Sequence, residues 1–293
     1  MTARAVDFLC VGAAHWDIVG HAGGPVQIGD DVPGWIEQRP GGVALNVALG
    51  LAARGCVVRL SAVVGGDAAG AALIAAIEAA GVGCAPVVRV AEAATSRYLA
   101  IEDGAGSLIA AVAHTALLDI HCQAIPDCLG PHLAHTRSLF LEANLSAPVL
   151  ARLAEDAAAA GVEVVANPVS PAKAPRLRTL LSKRHSPTII ANLEEATAIL
   201  QIGHRTARDA ADGLRRAGAG VALVSDGPRP AALATPSETV VLTPAPLSGR
   251  VSVTGAGDAL LSAFLACPDR HMAPQAALAK ALQAATDHMT RLR

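Results

Sequence analysis

Charge is scarce in this sequence, and no cluster of basic residues occurs. Of the 293 residues, 16% are Asp, Glu, Lys or Arg, and the formal net charge at pH 7 is −2. Proteins that hold DNA or RNA through its phosphates concentrate Lys and Arg on one surface. We therefore expect no nucleic-acid partner.

Long apolar runs and paired cysteines are also missing. Hydrophobic residues make up 52% of the chain, but Gly, Arg and Asp interrupt every run before it reaches the ~20 residues of a membrane span. The six cysteines include no Cys-x-x-Cys pair, and the first residues pass into an apolar strand pattern without the features of a signal peptide. These absences predict a cytoplasmic protein with reduced thiols and no membrane partner.

Histidine and cysteine gather in one segment, but without the spacing of a metal site. Pro126 and Pro131 indicate that this segment is a loop. Scattered surface histidines and buried cysteines explain it better than a zinc site does. The residues concerned are His114, His121, Cys122, Cys128, His132 and His135.

Strand-like apolar runs alternate with helical patterns along most of the chain. This alternation predicts an α/β fold, with a mostly parallel sheet covered by helices on both faces and ligands beyond the carboxyl ends of the strands. Two stretches break the pattern. Residues 13–40 are rich in Gly, Pro and Asp, and residues 87–113 contain short strands with a hairpin signal at Asp103-Gly104.

The segment Thr254-Gly255-Ala256-Gly257-Asp258 is a turn that leads into an apolar helix. Its glycines permit positive φ and close approach of a ligand, and the free amides at the helix start form an anion site. Asp258 lies at this site. It is either an N-cap of the helix or a general base placed where a phosphoryl group arrives.

Two other glycine turns precede helices. Gly41 and Gly42 could allow a polar ligand to approach the backbone, with Asn46 one helical turn further on to bind it, or they could serve packing alone. In Val64-Gly65-Gly66-Asp67, the aspartate is better explained as an N-cap.

Together these motifs resemble, in order and spacing, the ribokinase-like (PfkB) family of sugar and nucleoside kinases. The resemblance covers nearly the whole chain. It implies a three-layer α/β sandwich around a mostly parallel sheet, with a small β-sheet lid. Under it, residues 1–12, 41–86 and 114–293 form the α/β domain, and residues 13–40 and 87–113 form the lid inserted in it. A homodimer formed through the open edges of the lid strands is plausible.

The resemblance also implies roles for single residues and a need for ATP and Mg²⁺. Asp258 matches the catalytic base, and Gly255, Ala256 and Gly257 match the anion hole. The Asn-x-x-Glu motif is Asn192 to Glu195, which implies placement of Mg²⁺ and phosphates through bound water; without the resemblance, Glu195 is a solvated acid in a first helical turn. The remaining nucleotide-side residues are Ser225, Gly227 and Thr254, and K⁺ near the 252–257 loop is a further family property.

On the acceptor side, the resemblance assigns Asp17, Gly41, Gly42 and Asn46 to the substrate hydroxyls. The alternative for Asp17 is an aspartate on an edge strand that faces water. Two features depart from the family pattern: Ser252 replaces an acid or Asn, and Pro228 and Pro230 alter the nucleotide-side turn, where proline removes a donor.

Three further stretches resemble the pseudouridine kinases within this family: residues 95–101, 142–146 and 167–173. They add Tyr98, Asn144 and Lys173 as candidate substrate residues. Aromatic residues make up only 2% of the chain, yet Trp16, Trp35 and Tyr98 fall in the lid segments. A bound pyrimidine ring is stabilised by packing against aromatic side chains such as these.

The resulting hypothesis is an ATP-dependent kinase for the 5′-hydroxyl of pseudouridine, with Asp258 as general base. One alternative is the same chemistry on ribose, fructose or another nucleoside. The other is a catalytically silent sensor that binds nucleotides on a kinase fold, which the altered Pro228/Pro230 turn favours and the intact Gly255–Asp258 loop opposes.

Overall fold

A computed structural model of the protein describes residues 6–27, 29–84, 86–182, 184–247 and 255–291. The strands are β1 Val6–Val11, β2 His15–Ala22, β3 Gly34–Gly41, β4 Val58–Ser61, β5 Val63–Gly65, β6 Val88–Val90, β7 Arg97–Glu102, β8 Leu108–His114, β9 Thr136–Glu142, β10 Glu163–Asn167, β11 Thr188–Asn192, β12 Val221–Asp226, β13 Arg229–Ala234 and β14 Thr239–Leu242. The helices are α1 Val43–Ala52, α2 Ala68–Ala79, α3 Ala116–His121, α4 Ile125–Leu133, α5 Ala147–Ala159, α6 Leu193–Leu200, α7 Ala207–Arg216, α8 Ala256–Leu265 and α9 Pro274–Arg291.

An eight-stranded sheet forms the centre of the molecule, in the order β14-β13-β12-β11-β10-β9-β1-β4. Strands β4, β1, β9, β10, β11 and β12 run parallel, and β13 and β14 extend the sheet by antiparallel pairing. Helices α1, α2, α8 and α9 pack on one face, and α3 to α7 pack on the other. The α/β architecture expected from the strand–helix alternation is therefore confirmed.

A separate four-stranded sheet, β3-β2-β7-β8, is called the lid sheet below. Strand β2 pairs antiparallel with β3 but parallel with β7, and β7 forms an antiparallel hairpin with β8. The hairpin signal at Asp103-Gly104 is confirmed: the Asp103 carboxylate accepts hydrogen bonds from the amides of Ala105 and Ser107, both at 2.8 Å. Strand β6 pairs with β5 beside the main sheet.

Proline-containing segments behave differently from the expectation. The expected loop around Pro126 and Pro131 is wrong, because this segment forms α4. Pro126 is tolerated since it lies in the first turn, where an amide has no partner within the helix. Residues 174–180 form a 3₁₀ helix with a proline at its start.

The carboxyl ends of the parallel strands meet at one edge of the main sheet and carry polar residues there. Glu142 ends β9, Asn167 ends β10, Asn192 ends β11 and Asp226 ends β12. Gly12 follows β1 directly, and the chain then enters the lid sheet at His15. This edge is where an open α/β sheet binds ligands. Among the described helices, none combines the length and apolar character needed to cross a membrane.

Candidate active site

Helix α8 begins at Gly255, which lies at φ 81°. Residues with a Cβ rarely adopt this conformation, and an added Cβ would also lie 2.8 Å from Nε2 of His288. Asp258 is therefore the third residue of α8, and the N-cap interpretation of Asp258 is wrong. At Gly257 an added Cβ would meet no heavy atom within 4 Å, so the backbone beside Asp258 faces open space.

Asp258 is half-buried and held by one hydrogen bond from the first helix. The side-chain amide of Asn46 donates to Oδ2 of Asp258 at 2.9 Å. Burial raises the pKa of Asp258 to about 6, although the hydrogen bond from Asn46 and the nearby His288 act in the opposite direction. A carboxylate with this pKa is ionised at neutral pH and is more basic than a solvated aspartate, as a general base should be.

The glycine pair before α1 fits closely against the lid. At Gly41, an added Cβ would lie 2.4 Å from Oδ2 of Asp17. Gly42 has φ 105°, and an added Cβ would lie 2.4 Å from the carbonyl oxygen of Ala13. Asp17 itself lies on β2, which is flanked by β3 and β7, so the edge-strand interpretation is wrong.

Two basic side chains of the lid sheet lie near Asp17. Nδ1 of His15 lies 3.0 Å from Oδ1 of Asp17, and Nε of Arg39 lies 3.9 Å from Oδ2. The Asp17 carboxylate lines the same cavity as Asp258.

A buried carboxyl group lies at the carboxyl end of β9. Glu142 is fully buried and accepts hydrogen bonds from the Ala13 amide at 2.6 Å and from the Asn144 side chain at 2.8 and 2.9 Å. The pKa of Glu142 is raised to about 7, mainly by burial and to a smaller extent by the charge of Asp258. The hydrogen bonds from Asn144 and Ala13 and the charge of Lys173 act in the opposite direction. Lys173 donates to Oδ1 of Asn144. The structure thus joins Lys173, Asn144 and Glu142 in one chain of hydrogen bonds.

The expected nucleotide-side residues lie on the neighbouring strands β11 and β12. Asn192 pairs with Ser225 in the sheet register, and Gly227 forms the turn after β12 at φ 57°. Asn192 and Glu195 form a reciprocal capping box at the start of α6, with hydrogen bonds of 2.8 and 2.9 Å. Glu195 is buried, which raises its pKa; it is not the solvated acid of the alternative interpretation.

This pair does not resemble a set of direct metal ligands. Each side chain has one oxygen engaged by a backbone amide of the other residue. Within the described part of the chain, no group of three or more His, Cys, Asp and Glu is arranged to hold a metal ion. The residues fit a hydrated Mg²⁺ held through water, which is the common mode for this ion.

Pro228 and Pro230 lie in the hairpin that connects β12 to β13. The register is irregular between Val224 and Asp226, and Asp226 pairs with Arg229 through a salt bridge of 2.7 Å. Pro230 precedes the residues of β13 that pair with β14. A proline, which cannot donate to the ladder, is tolerated at such an irregularity in strand pairing.

A cavity of about 1260 Å³ lies between the lid sheet and helices α1, α8 and α9. Among the expected site residues it brings together Asp17, Asn46, Tyr98, Gly255 and Asp258. The described lining does not include Asn144, Lys173, Asn192, Glu195, Ser225 or Gly227. Thr254, Ser252 and the proposed K⁺ position at the 252–257 loop fall wholly or mainly outside the described residues.

Several cavity and near-cavity residues were not found from the sequence. One sequence feature points to Glu142, which is a charged residue at the end of a buried apolar strand. No sequence feature points to His288, because a single histidine in a C-terminal helix is common. On the lid, His21, Glu37 and Glu102 line the cavity, and only their spacing of two along strands distinguishes them from solvated residues.

The model of the pfkB family of carbohydrate kinases matches residues 8–289. The chain belongs to the PfkB family. Kinases of this family transfer a phosphoryl group to an alcohol acceptor, which is the chemistry expected from the sequence for Asp258 and the glycine turn before it.

Three relatives illustrate the range of the family. The chain is 28% identical over 278 residues to the pseudouridine kinase of Escherichia coli, covering 90% of this chain and 84% of that protein. A carbohydrate kinase from Agrobacterium tumefaciens is 29% identical with a TM-score of 0.82, covering 96% of this chain and 89% of that one. Arabidopsis thaliana ribokinase, solved with ribose and ATP, is 19% identical with a TM-score of 0.80, covering 98% and 93% of the two chains.

Proposed function

We propose that this PfkB-family protein is an ATP-dependent kinase that phosphorylates the 5′-hydroxyl of pseudouridine. The observation that carries the chemistry is Asp258, half-buried in the first turn of α8 and hydrogen-bonded by Asn46 on the same cavity as Asp17. The choice of pseudouridine is supported by the similarity to the E. coli pseudouridine kinase.

In the proposed reaction, Asp258 accepts the proton of the 5′-hydroxyl. The oxygen attacks the γ-phosphorus of ATP as the bond to the β-phosphate oxygen breaks, giving pseudouridine 5′-phosphate and ADP. The amides from Gly255 to Gly257 and the positive end of α8 stabilise the developing charge. Bound Mg²⁺ would neutralise phosphate charge, and Asn192 and Glu195 would hold it through water.

Closure of the lid is proposed to exclude water, which would otherwise compete with the sugar as acceptor. Residues 13–40 and 87–113 are proposed as the moving part. Asp17 is the residue that closure would bring to the sugar hydroxyls, because its carboxylate already faces the cavity that contains Asp258.

The Lys173–Asn144–Glu142 chain is proposed to position the acceptor side of the site indirectly. Glu142 binds the Ala13 amide, and Ala13 lies in the short connection between β1 and the lid strand β2. The chain would therefore fix the entry of the lid relative to the sheet edge, which also supports the assignment of Asn144 and Lys173 to the acceptor side.

The deciding experiment measures ADP release with Mg·ATP and pseudouridine, uridine, ribose and fructose in parallel. Wild type should turn over pseudouridine fastest, and Asp258→Ala should lose the activity while it still binds ATP. Faster turnover of another acceptor would keep the mechanism and reject pseudouridine as the substrate. ATP binding without turnover of any acceptor would favour the silent sensor, for which the Pro228/Pro230 turn is the motivating feature.

We also propose that a second copy of the chain covers the outer face of the lid sheet. Large apolar side chains are exposed there: Ile36 is 75% exposed and Val112 is 65% exposed, with Leu99 beside them. Such a patch on a small sheet with open edges suits an isologous contact. Light scattering after gel filtration should give twice the 29.5 kDa chain mass, and Ile36→Glu should give the monomer.

A further inference from the structure

Nine residues on the inner face of the lid sheet form three rows across β3, β2 and β7. The strand register aligns one residue of each strand in every row. All nine line the cavity that contains Asp258. The first row is Arg39–Asp17–Tyr98, the second is Glu37–Val19–Ala100 and the third is Trp35–His21–Glu102.

The rows extend well beyond the sugar position. Two residues along a strand advance it by about 7 Å, so the third row lies about 13 Å from the first. In the proposed function a sugar lies between Asp258 and Asp17, and a free pentose would not reach the third row. A larger acceptor would use the outer two rows.

The second row carries small side chains at its centre, between rows that carry aromatic side chains. Val19 and Ala100 are buried and small, whereas Tyr98 in the first row and Trp35 in the third carry aromatic rings. A flat ring placed over Val19 and Ala100 would therefore have an aromatic side chain on either side of it. Such surroundings suit a heterocycle.

Trp35 provides a rigid aromatic surface in the third row. Its ring stacks on His21 with centroids 3.9 Å apart and planes inclined by 19°. Although His21 covers one face, Trp35 remains 59% exposed. The stack holds the indole in place and leaves its other face available to a ligand.

A hydrogen-bond acceptor lies at the edge of the same space. His21 lies between two carboxylates, with Nδ1 3.2 Å from Oε2 of Glu102 and Nε2 3.7 Å from Oε2 of Glu37. Nε2 of His21 is enclosed by the protein, whereas the Glu37 side chain is 39% exposed and lines the cavity. The Glu37 carboxylate can therefore accept a hydrogen bond from an N–H donor of a ligand.

We propose that the second and third rows form a subsite for the base of a nucleoside acceptor. Trp35 supplies the stacking surface, and the Glu37 carboxylate accepts a hydrogen bond from N1–H of the base. This inference rests on the proposed function and deepens it. Pseudouridine has this N1–H because its uracil is joined to ribose through carbon, whereas N1 of uridine carries the ribose. The subsite therefore favours pseudouridine over uridine.

The test compares wild type with Glu37→Gln and Trp35→Ala, using pseudouridine, uridine, N1-methylpseudouridine and ribose as acceptors. Each substitution should raise KM for pseudouridine about tenfold, as expected for loss of one charged hydrogen bond or one stacking surface, with little change in kcat. The rise should be clearly larger for pseudouridine than for ribose. Methylation of N1 should raise KM more for the wild type than for Glu37→Gln.

Gln38→Ala is the matched control, since Gln38 is an exposed polar residue of the same strand on the opposite face of the lid. It should leave every KM unchanged. Equal melting temperatures of the four proteins show that the lid variants fold. If no acceptor is phosphorylated, calorimetric affinities for pseudouridine across the same variants decide the subsite instead.

Three outcomes show how this inference and the proposed function stand. Pseudouridine turnover by wild type with unchanged KM in both lid variants overturns the subsite alone. Turnover of free sugars and of no nucleoside overturns both. If another nucleoside is the better acceptor, pseudouridine is rejected as the substrate, and the effect of the same variants on that nucleoside decides the subsite.

Discussion

The raised pKa of Asp258 has a direct consequence for the pH dependence of activity. A general base must be deprotonated, so kcat/KM should fall as pH decreases through about 6, the pKa of Asp258. Asn46→Ala removes a hydrogen bond that stabilises the carboxylate, and this should move the acid limb to higher pH. The measurement is kcat/KM from pH 5 to 9. An unchanged limb in Asn46→Ala would show that another group controls it.

The buried carboxyl group of Glu142 should make the free energy of unfolding depend on pH. Its pKa rises from 4.5 to about 7 on folding, so the folded state binds more protons than the unfolded state between these values. The free energy of unfolding should therefore decrease as pH rises from 4.5 to 7. In Glu142→Gln this contribution should vanish. Urea unfolding at several pH values tests it, with the exposed Glu194→Gln as control; parallel curves for Glu142→Gln and wild type would contradict the pKa.

Which site residues the sequence could predict depends on how local their geometry is. Asp258 and its glycines could be predicted because a glycine turn before a helix fixes them within five residues. The Asn46–Asp258 hydrogen bond joins residues 212 positions apart, so only the family resemblance suggested that the two meet. The environment of Glu142 depends on its burial between strands that are distant in sequence, so no local sequence pattern predicts it.

At the scale of elements, Glu163 attaches the connection between α8 and α9 to the main sheet. Its carboxylate accepts from Arg270 and from the Ser138 hydroxyl at 2.8 Å, and it lies 3.3 Å from His271. Burial would raise the pKa of Glu163, but these hydrogen bonds and the charges of Arg270 and His271 outweigh it and lower the pKa to about 2.

Glu163→Gln should destabilise the protein by about 3 kcal/mol, because Arg270 is buried and would lose its counter-charge. Because the pKa of Glu163 is lowered on folding, the greater stability of the wild type is present above pH 4.5 and is lost as pH falls towards 2. Urea unfolding of both proteins at pH 7 and pH 3 measures this. A constant difference between the two proteins across these pH values would be inconsistent with the proposed ion pair.

Helices and parallel strands were predictable, whereas the antiparallel extension of the sheet was not. Amphipathic spacing and flanking glycines mark α1 and α2, and continuous apolar runs mark β1 and β9. Strand β13 is not apparent from its sequence because Pro228 and Pro230 indicate a turn. Its pairing is decided by β12 and β14 on either side, which is tertiary information.

At the scale of the whole molecule, the lid sheet and the main sheet should differ in local stability. Every residue of β8 is exposed, whereas β1 and β9 are almost entirely buried. We expect amide hydrogens of β8 to exchange much faster than those of β1 and β9. Binding of nucleoside should slow exchange in β2, β3 and β7. Hydrogen exchange followed by mass spectrometry tests both, and equal protection of the two sheets would contradict the first.

The scarcity of aromatic residues has a practical consequence for spectroscopy. Both tryptophans of the chain lie in the lid sheet: Trp16 is buried and donates its indole N–H to the carbonyl of Ala69 at 2.9 Å, and Trp35 is exposed at the cavity. Nearly all emission excited at long ultraviolet wavelengths therefore originates in the lid, with one shielded emitter and one solvated emitter. The unlabelled protein carries its own optical probe of this sheet, and replacing either indole assigns the signal to the other.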